Sequence, residues 1–350
     1  LRRRGATKTD IANAVRGDYV SLLVLDRVIM PGERRYTMQQ LAAQAGADPE
    51  VAREVWRAVG FPDLPDHLVV FTDADVRAMR SFVERLESPW MLEWNLERAL
   101  SQARVLNAAL ARVAEVESDD VASSFRAAAR AGLEDEELAE MVVERFDFDD
   151  LSRLIDHAHR LQLRAALWRK LADTDPSLSN TINVGVGFVD LVGYTALSED
   201  LETDDLLALV ERFSTITHDT VVAGGGRIVK TIGDEVMYIT DTVGTAAAIA
   251  LALTVASTGD EMLPKTRAGV AFGAVLSRDG DYYGPVVNLA SRLTEMARPG
   301  TVLVSAEVAN ALGSDPRFAF RRLAGRRVRD IGRVDIYRLS QGKSVDSVSA

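Results

Sequence analysis

At 350 residues the chain is long enough for two domains with buried cores. Its 47% apolar and 27% charged residues are those of a globular protein, and a net charge of −11 argues against a broad basic surface for duplex nucleic acid or anionic lipid. There is no cysteine, which removes disulfides, thiolate zinc sites and thiol nucleophiles and suits a reducing, cytoplasmic setting.

The acidity is spread along the chain: residues 1–179 hold 24 Lys and Arg against 31 Asp and Glu, and residues 180–350 hold 17 against 21. A start at Leu-Arg-Arg-Arg without Met reads as truncated or processed, and no signal peptide is visible. Residues 1–172 read as an all-helical domain, with apolar residues at three- and four-residue steps through 76–86, 92–113 and 138–146. Within it, 36–61 (YTMQQLAAQAGADPEVAREVWRAVGF) has the pattern helix, short ADPE turn, helix. The stretch LVVF at 68–71 is the best strand candidate, and Asp73 and Asp75 are expected N-caps for the helix that follows. A last helix at 150–171 carries His157 and His159, the side-chain type that titrates near neutrality. Spaced i, i+2 they point to different faces, so they are not a metal pair; they are pH sensors or plain surface histidines.

Residues 173–182 form the linker, opening with DTDPSLSN. From 183 to 340 the texture changes: strand 183–190, amphipathic helix 204–222, strands near 227–231 and 235–240, and a helix at 243–257. Strands near 266–272 and 274–278, a helix at 286–298 and a strand at 301–305 follow, with 341–350 as a tail. The order opens β-α-β-β-α-β, the ferredoxin-like split arrangement, so the whole is an α+β protein with a helical domain in front. VGTAAAIALALTVAS at 243–257 is too short and alanine-rich to span a membrane and reads as a buried helix.

Asp190 ends the strand in FVDLVGYT, and Asp234 sits at the turn of IVKTIGDEVM. In a βαββαβ sheet those two strand ends lie side by side. Each aspartate then either caps a turn or joins the other as a pair of hard oxygen ligands for Mg²⁺ or Mn²⁺, a pairing that suits phosphoryl transfer. Residues Leu191, Val192, Gly193, Tyr194 and Thr195 follow the first strand, where successive backbone N–H groups can curl around phosphate oxygens. Gly224, Gly225 and Gly226 read as a helix C-cap and turn instead. In RDGDYYGPVVNLASRL, Asp281 lies in the loop before a helix, while Asn288 and Arg292, i and i+4, share one face of it.

FVDLVGYT, IVKTIGDEVM and GDYYGPVVNLASRL, in that order and spacing, resemble the class III nucleotidyl cyclases over about 180–340. By that resemblance Asp190 and Asp234 hold two divalent cations, Lys230 and Asp281 select the base, Asn288 orients the ribose and Arg292 steadies the transition state. A lysine only donates and an ionised aspartate only accepts, so Lys230 with Asp281 complements adenine and rejects guanine. The resemblance therefore implies an ATP-specific cyclase forming cyclic AMP. It also implies a homodimer in which the metal aspartates of one subunit face the base-selecting and transition-state residues of the other. A lysine or arginine gripping the β- and γ-phosphates is expected among residues 321–329.

The segment 36–61 is similar to the helix–turn–helix of MerR-type regulators, which leaves open a DNA-binding regulator with a cyclase-like nucleotide sensor. Acidic neighbours of Arg53 and Arg57 speak against it. A diguanylate cyclase would need a GGDEF-type stretch, and none is present. The helical domain before a cyclase resembles soluble mycobacterial members whose N-terminal domain restrains catalysis in an acid-sensitive fashion. That implies regulation through the 150–171 helix; the acidic charge and the lack of a spanning segment speak for no nucleic-acid or membrane partner.

Overall fold

A computed structural model describes residues 1–88, 94–145, 148–172, 181–328 and 331–342. The chain divides into two units, 1–174 and 175–350.

The first unit holds α1 (Lys8–Gly17), α2 (Val20–Ile29), α3 (Met38–Ala45), α4 (Pro49–Ala58), α5 (Asp73–Leu86), α6 (Leu96–Arg130), α7 (Asp135–Arg145) and α8 (Phe148–Ala172). α3 starts on a reciprocal cap between Thr37 and Gln40 and ends at Gly46 in the left-handed region; α4 starts on Asp48 with Pro49 behind it. Their apolar faces, Leu41, Ala42, Ala52 and Val55, pack with Phe71, Val76 and Leu100 into one core, giving the expected helix–turn–helix. A second core joins Val24 and Val28 of α2 to Ala139 and Val142 of α7. α2 lacks a side-chain cap of its own; Asp135 supplies one, accepting from the amides of Val20 and Ser21 at 2.5 and 3.2 Å.

Three expectations are corrected here. LVVF is not a strand: only Phe71 bridges Tyr36, since no neighbouring segment offers a ladder. Thr72, not an aspartate, is the N-cap of α5, because its hydroxyl reaches the Ala74 amide at 3.2 Å while Asp75 accepts back from the Thr72 amide at 2.7 Å. The helix read at 92–113 runs as α6 to Arg130, for its polar second half still lacks Gly or Pro; residues 92 and 93 lie outside the described residues. So do 173–180 of the linker and 343–350 of the tail.

The second unit runs β1 (Thr181–Leu191), α9 (Tyr194–Asp200), α10 (Thr203–Ala223), β2 (Arg227–Ile232), β3 (Glu235–Thr240), α11 (Val243–Thr258), β4 (Thr266–Arg278), β5 (Asp281–Tyr283), α12 (Pro285–Met296), β6 (Val302–Ser305), α13 (Ala306–Leu312), β7 (Phe318–Val328) and β8 (Gly332–Gln341). The sheet order is β2-β3-β1-β4-β6-β8-β7, with β5 paired to β4. β1 lies between β3 and β4 and is covered on both faces, so it reads as a continuous apolar run. Val189, Tyr238 and Val270 face α10, α11 and α13; Val186, Phe188, Met237 and Ala271 face α12 and the β5 arm. The sequence at 266–278 reads as two strands but forms one, because Gly273 carries the ladder through. Asp281, expected in a loop, opens β5 through a turn in which Asp279 and Gly280 both have positive φ.

α12 lies tight on the sheet. A Cβ at Gly269 would sit 2.4 Å from both the Ala290 carbonyl oxygen and the Thr294 amide nitrogen, so only glycine admits this approach. Thr294 in turn donates to the Phe188 carbonyl at 3.3 Å, tying the helix to β1.

Candidate active site

Side chains alternate along a strand, so Asp190 shares the α12 face with Phe188, Glu235 shares it with Met237, and Arg267 shares it with Ala271. The ladder then sets Asp190 directly opposite Glu235 on one side and Arg267 on the other. Lys230 is opposite Met237, on the same face. One sheet face thus collects four of the charged groups.

Asp190 is 9% exposed and accepts from Arg267 Nε at 2.7 Å. Asp234 stands at the β2–β3 turn, where Gly233 takes a φ of 62°. Burial, then a hydrogen bond to and the charge of Asp190, push the Asp234 carboxyl up to about 6. The two carboxyls are therefore neighbours. Glu235 is pushed up to about 7, by burial first and then by Asp190, Glu295 and Asp234. Crowded carboxylates of this kind fit a divalent cation, which relieves the repulsion that otherwise retains a proton. Among the described residues no group of three or more His, Cys, Asp and Glu side chains is arranged to hold a metal ion.

Lys230 Nζ donates to Asp281 Oδ2 at 2.5 Å, and Asp281 Oδ1 accepts from the Tyr282 amide at 2.8 Å. Two residues 51 positions apart thus meet across β2 and the arm formed by β4 and β5. Asn288 is exposed on α12, and one turn later Arg292 donates to both carboxylate oxygens of Glu295 at 2.6 and 2.9 Å. The Glu295 carbonyl accepts from Arg267 at 3.1 Å, which ties the C-terminal end of α12 to the arginine that holds Asp190. Gly193 adopts a left-handed φ of 80° between β1 and α9; Leu191 is buried, Val192 and Tyr194 are half-buried and Thr195 is exposed. Arg321 and Arg322 are exposed on β7, with Arg322 on Asp335 at 2.8 Å; the side chains of Arg326 and Arg327, and all of Arg329, lie outside the described residues.

Sequence reasoning missed Arg267, Glu235 and Glu295. A signal existed for the first two: each is a charge on the inward register of a strand whose next inward residues are apolar or glycine. In the first unit, Arg53 is held by Glu50 and Asp66 and Arg57 by Asp63 and Glu50, so the second helix of the helix–turn–helix presents neutralised guanidiniums. His157 and His159 are both exposed on α8. No described helix is long and apolar enough to cross a membrane.

The family profile described as "Adenylate and Guanylate cyclase catalytic domain" matches residues 178–341. The chain is 35% identical over 345 residues to an adenylate cyclase of Glutamicibacter nicotianae, covering 93% of this chain and 83% of that protein. It is 39% identical over 290 residues to an adenylate cyclase of Streptomyces coelicolor, covering 83% and 75% of the two. A pH-sensitive adenylate cyclase of Mycobacterium tuberculosis is 30% identical over 343 residues, covering 94% and 84%. With a catalytic-unit match and relatives similar along most of its length, the chain belongs to the adenylate and guanylate cyclase family and is a class III nucleotidyl cyclase.

Proposed function

We propose that the protein converts ATP to 3′,5′-cyclic AMP and pyrophosphate at two equivalent sites shared across a homodimer. The observation that carries this reading is that one chain holds both halves of such a site, the neighbouring Asp190 and Asp234 carboxyls and the Lys230–Asp281 ion pair, each half meeting its complement on the partner. Asp190 and Asp234 would hold the two divalent cations, Mg²⁺ or Mn²⁺, which when bound lower the pKa of the ribose 3′-hydroxyl and neutralise the triphosphate. Arg267, which holds Asp190 at 2.7 Å, would have to yield that carboxylate to a bound cation.

Lys230 donates to adenine N1 and Asp281 accepts from its 6-amino group. Guanine would set the ammonium against its N1–H and the carboxylate against its O6 in a partly buried site. Asn288 orients the ribose so that its 3′-oxygen meets the α-phosphorus in line with the pyrophosphate leaving group. As the new P–O bond forms and the old one breaks, Arg292 donates to the α-phosphate oxygens, a contribution typically of about 10²–10³ in rate. Leu191 to Thr195 supply backbone N–H groups to the phosphates, and the remaining cationic grip comes from the arginines of 321–329. Lys230, Asp281, Asn288 and Arg292 serve the carboxylates of the partner subunit, so a lone chain turns nothing over.

The helical unit regulates this activity through α8, with His157 and His159 as candidate pH-sensing groups; the similarity to the pH-sensitive relative supports that part. The DNA-binding alternative is disfavoured by the carboxylates on Arg53 and Arg57. Incubating the protein with ATP or GTP and Mn²⁺ or Mg²⁺ and identifying the product tests the proposal: cyclic AMP from ATP is expected, and cyclic GMP as main product would overturn the base assignment.

A further inference from the structure

Arg227 and Lys230 are three residues apart on β2, a spacing that puts side chains on opposite faces of a regular strand. Here the pairing slips between Ile228 and Lys230, so Arg227 opposes Ile239 and Lys230 opposes Met237, both of which pack on the α12 face. A bulge of this kind re-aims a side chain, and it turns both cations toward the β5 arm. Lys230 meets Asp281, while Arg227 Nη1 donates to the Tyr282 hydroxyl oxygen at 3.3 Å. Arg227 Nη2 donates to Asp241 Oδ1 at 3.2 Å, just past the end of β3, which fixes the guanidinium from its other side. Two consecutive residues of the arm are thus tied to β2, although the arm's own ladder runs to β4 alone among the described strands.

We propose that Arg227 and Tyr282 are positioning residues for base selection, holding the β5 arm against β2 while Lys230 and Asp281 read the base. This role rests on the adenine reading of Lys230 and Asp281. In the nucleotide-free chain those two satisfy each other through Asp281 Oδ2, and Oδ1 is taken by the Tyr282 amide at 2.8 Å. A base that draws the ammonium and Oδ2 to itself loosens their direct contact. The Arg227–Tyr282 bond reads no base atom, so it keeps the arm in place through that exchange. It is charge-assisted, and the planar guanidinium is already anchored on Asp241, which suits it to a fixed spacing. Without it the arm gives way to guanine's misplaced groups, and discrimination falls.

Tyr282→Phe removes the hydroxyl and leaves the ring in its apolar contacts. In the full chain with Mn²⁺ it should lower the ratio of kcat/KM for ATP over GTP by about tenfold, with the loss for ATP in KM more than in kcat. Arg227→Gln should do the same, and the double variant should be no worse than either alone. In nucleotide-free protein, amide exchange across 276–283 should quicken by about tenfold in Tyr282→Phe while β1 stays protected. Unchanged exchange, an unchanged ratio, or additive losses in the double variant overturns the brace. Lys230→Ala and Asp281→Ala judge the underlying reading separately. If neither alters the ratio while Tyr282→Phe still quickens exchange, the adenine assignment fails and the tie between arm and strand stands.

Discussion

Replacing Gly269 with Ala tests whether the fit of α12 on the sheet sets the rate. The added Cβ would lie 2.4 Å from two backbone atoms, the Ala290 oxygen and the Thr294 nitrogen, and neither can rotate away. Restoring ordinary contact requires a shift of the helix by about 1 Å, and that helix carries Asn288 and Arg292. Overpacking of this kind costs about 1–3 kcal/mol. A displacement near 1 Å in a positioning element costs about 10² in rate. Gly269→Ala should therefore lower Tm by several degrees and kcat by about 10²-fold. Asp190 and Asp234 stand on β1 and the hairpin, so Mn²⁺ binding measured by calorimetry should change far less. A variant with wild-type kcat and Tm would refute the claim that this close approach positions the catalytic face.

Further outcomes follow from the same geometry. Asp234 and Glu235, at about 6 and about 7, bind protons in the folded metal-free chain that the unfolded chain has already lost. Their contribution to stability therefore falls as pH rises from about 4 to about 7. Glu235→Gln should flatten that part of the Tm–pH curve, and Mn²⁺ should raise Tm more at about pH 8 than at about pH 5; an identical Mn²⁺ effect at both would contradict the pairing of the carboxylates. Asp190→Ala should abolish turnover while leaving the circular dichroism spectrum intact, because Arg267 keeps the Glu295 carbonyl; retained turnover would remove the metal assignment. Exposed His157 and His159 can both be changed to Ala with little effect on stability, within about 0.5 kcal/mol. If they sense pH, the activity–pH profile flattens; an unchanged profile ends that role.

The hairpin around Asp234 was legible to within a residue, because alternating apolar residues and a Gly-Asp tip specify both strands and turn. The helix–turn–helix was equally plain from Thr37, Gly46, Asp48 and Pro49. What escaped depended on partners distant in sequence. Glu235 and Arg267 acquire meaning only once the ladder sets both against Asp190. The bend at Gly273 looked like a strand end, although the ladder to β1 passes through it. The short helices α9 and α13 carry too few turns to show a period. For Lys230 and Asp281 the residue types declared a donor and an acceptor, but their meeting at 2.5 Å requires the fold of the arm.

Mixing an Asp234→Ala chain with an Arg292→Ala chain tests shared sites directly, since each variant alone lacks one half of every site. A heterodimer of the two rebuilds one complete site, and random pairing should restore about a quarter of wild-type activity. Heterodimers that form, as seen by differential tags, yet remain as inactive as either parent would contradict the account.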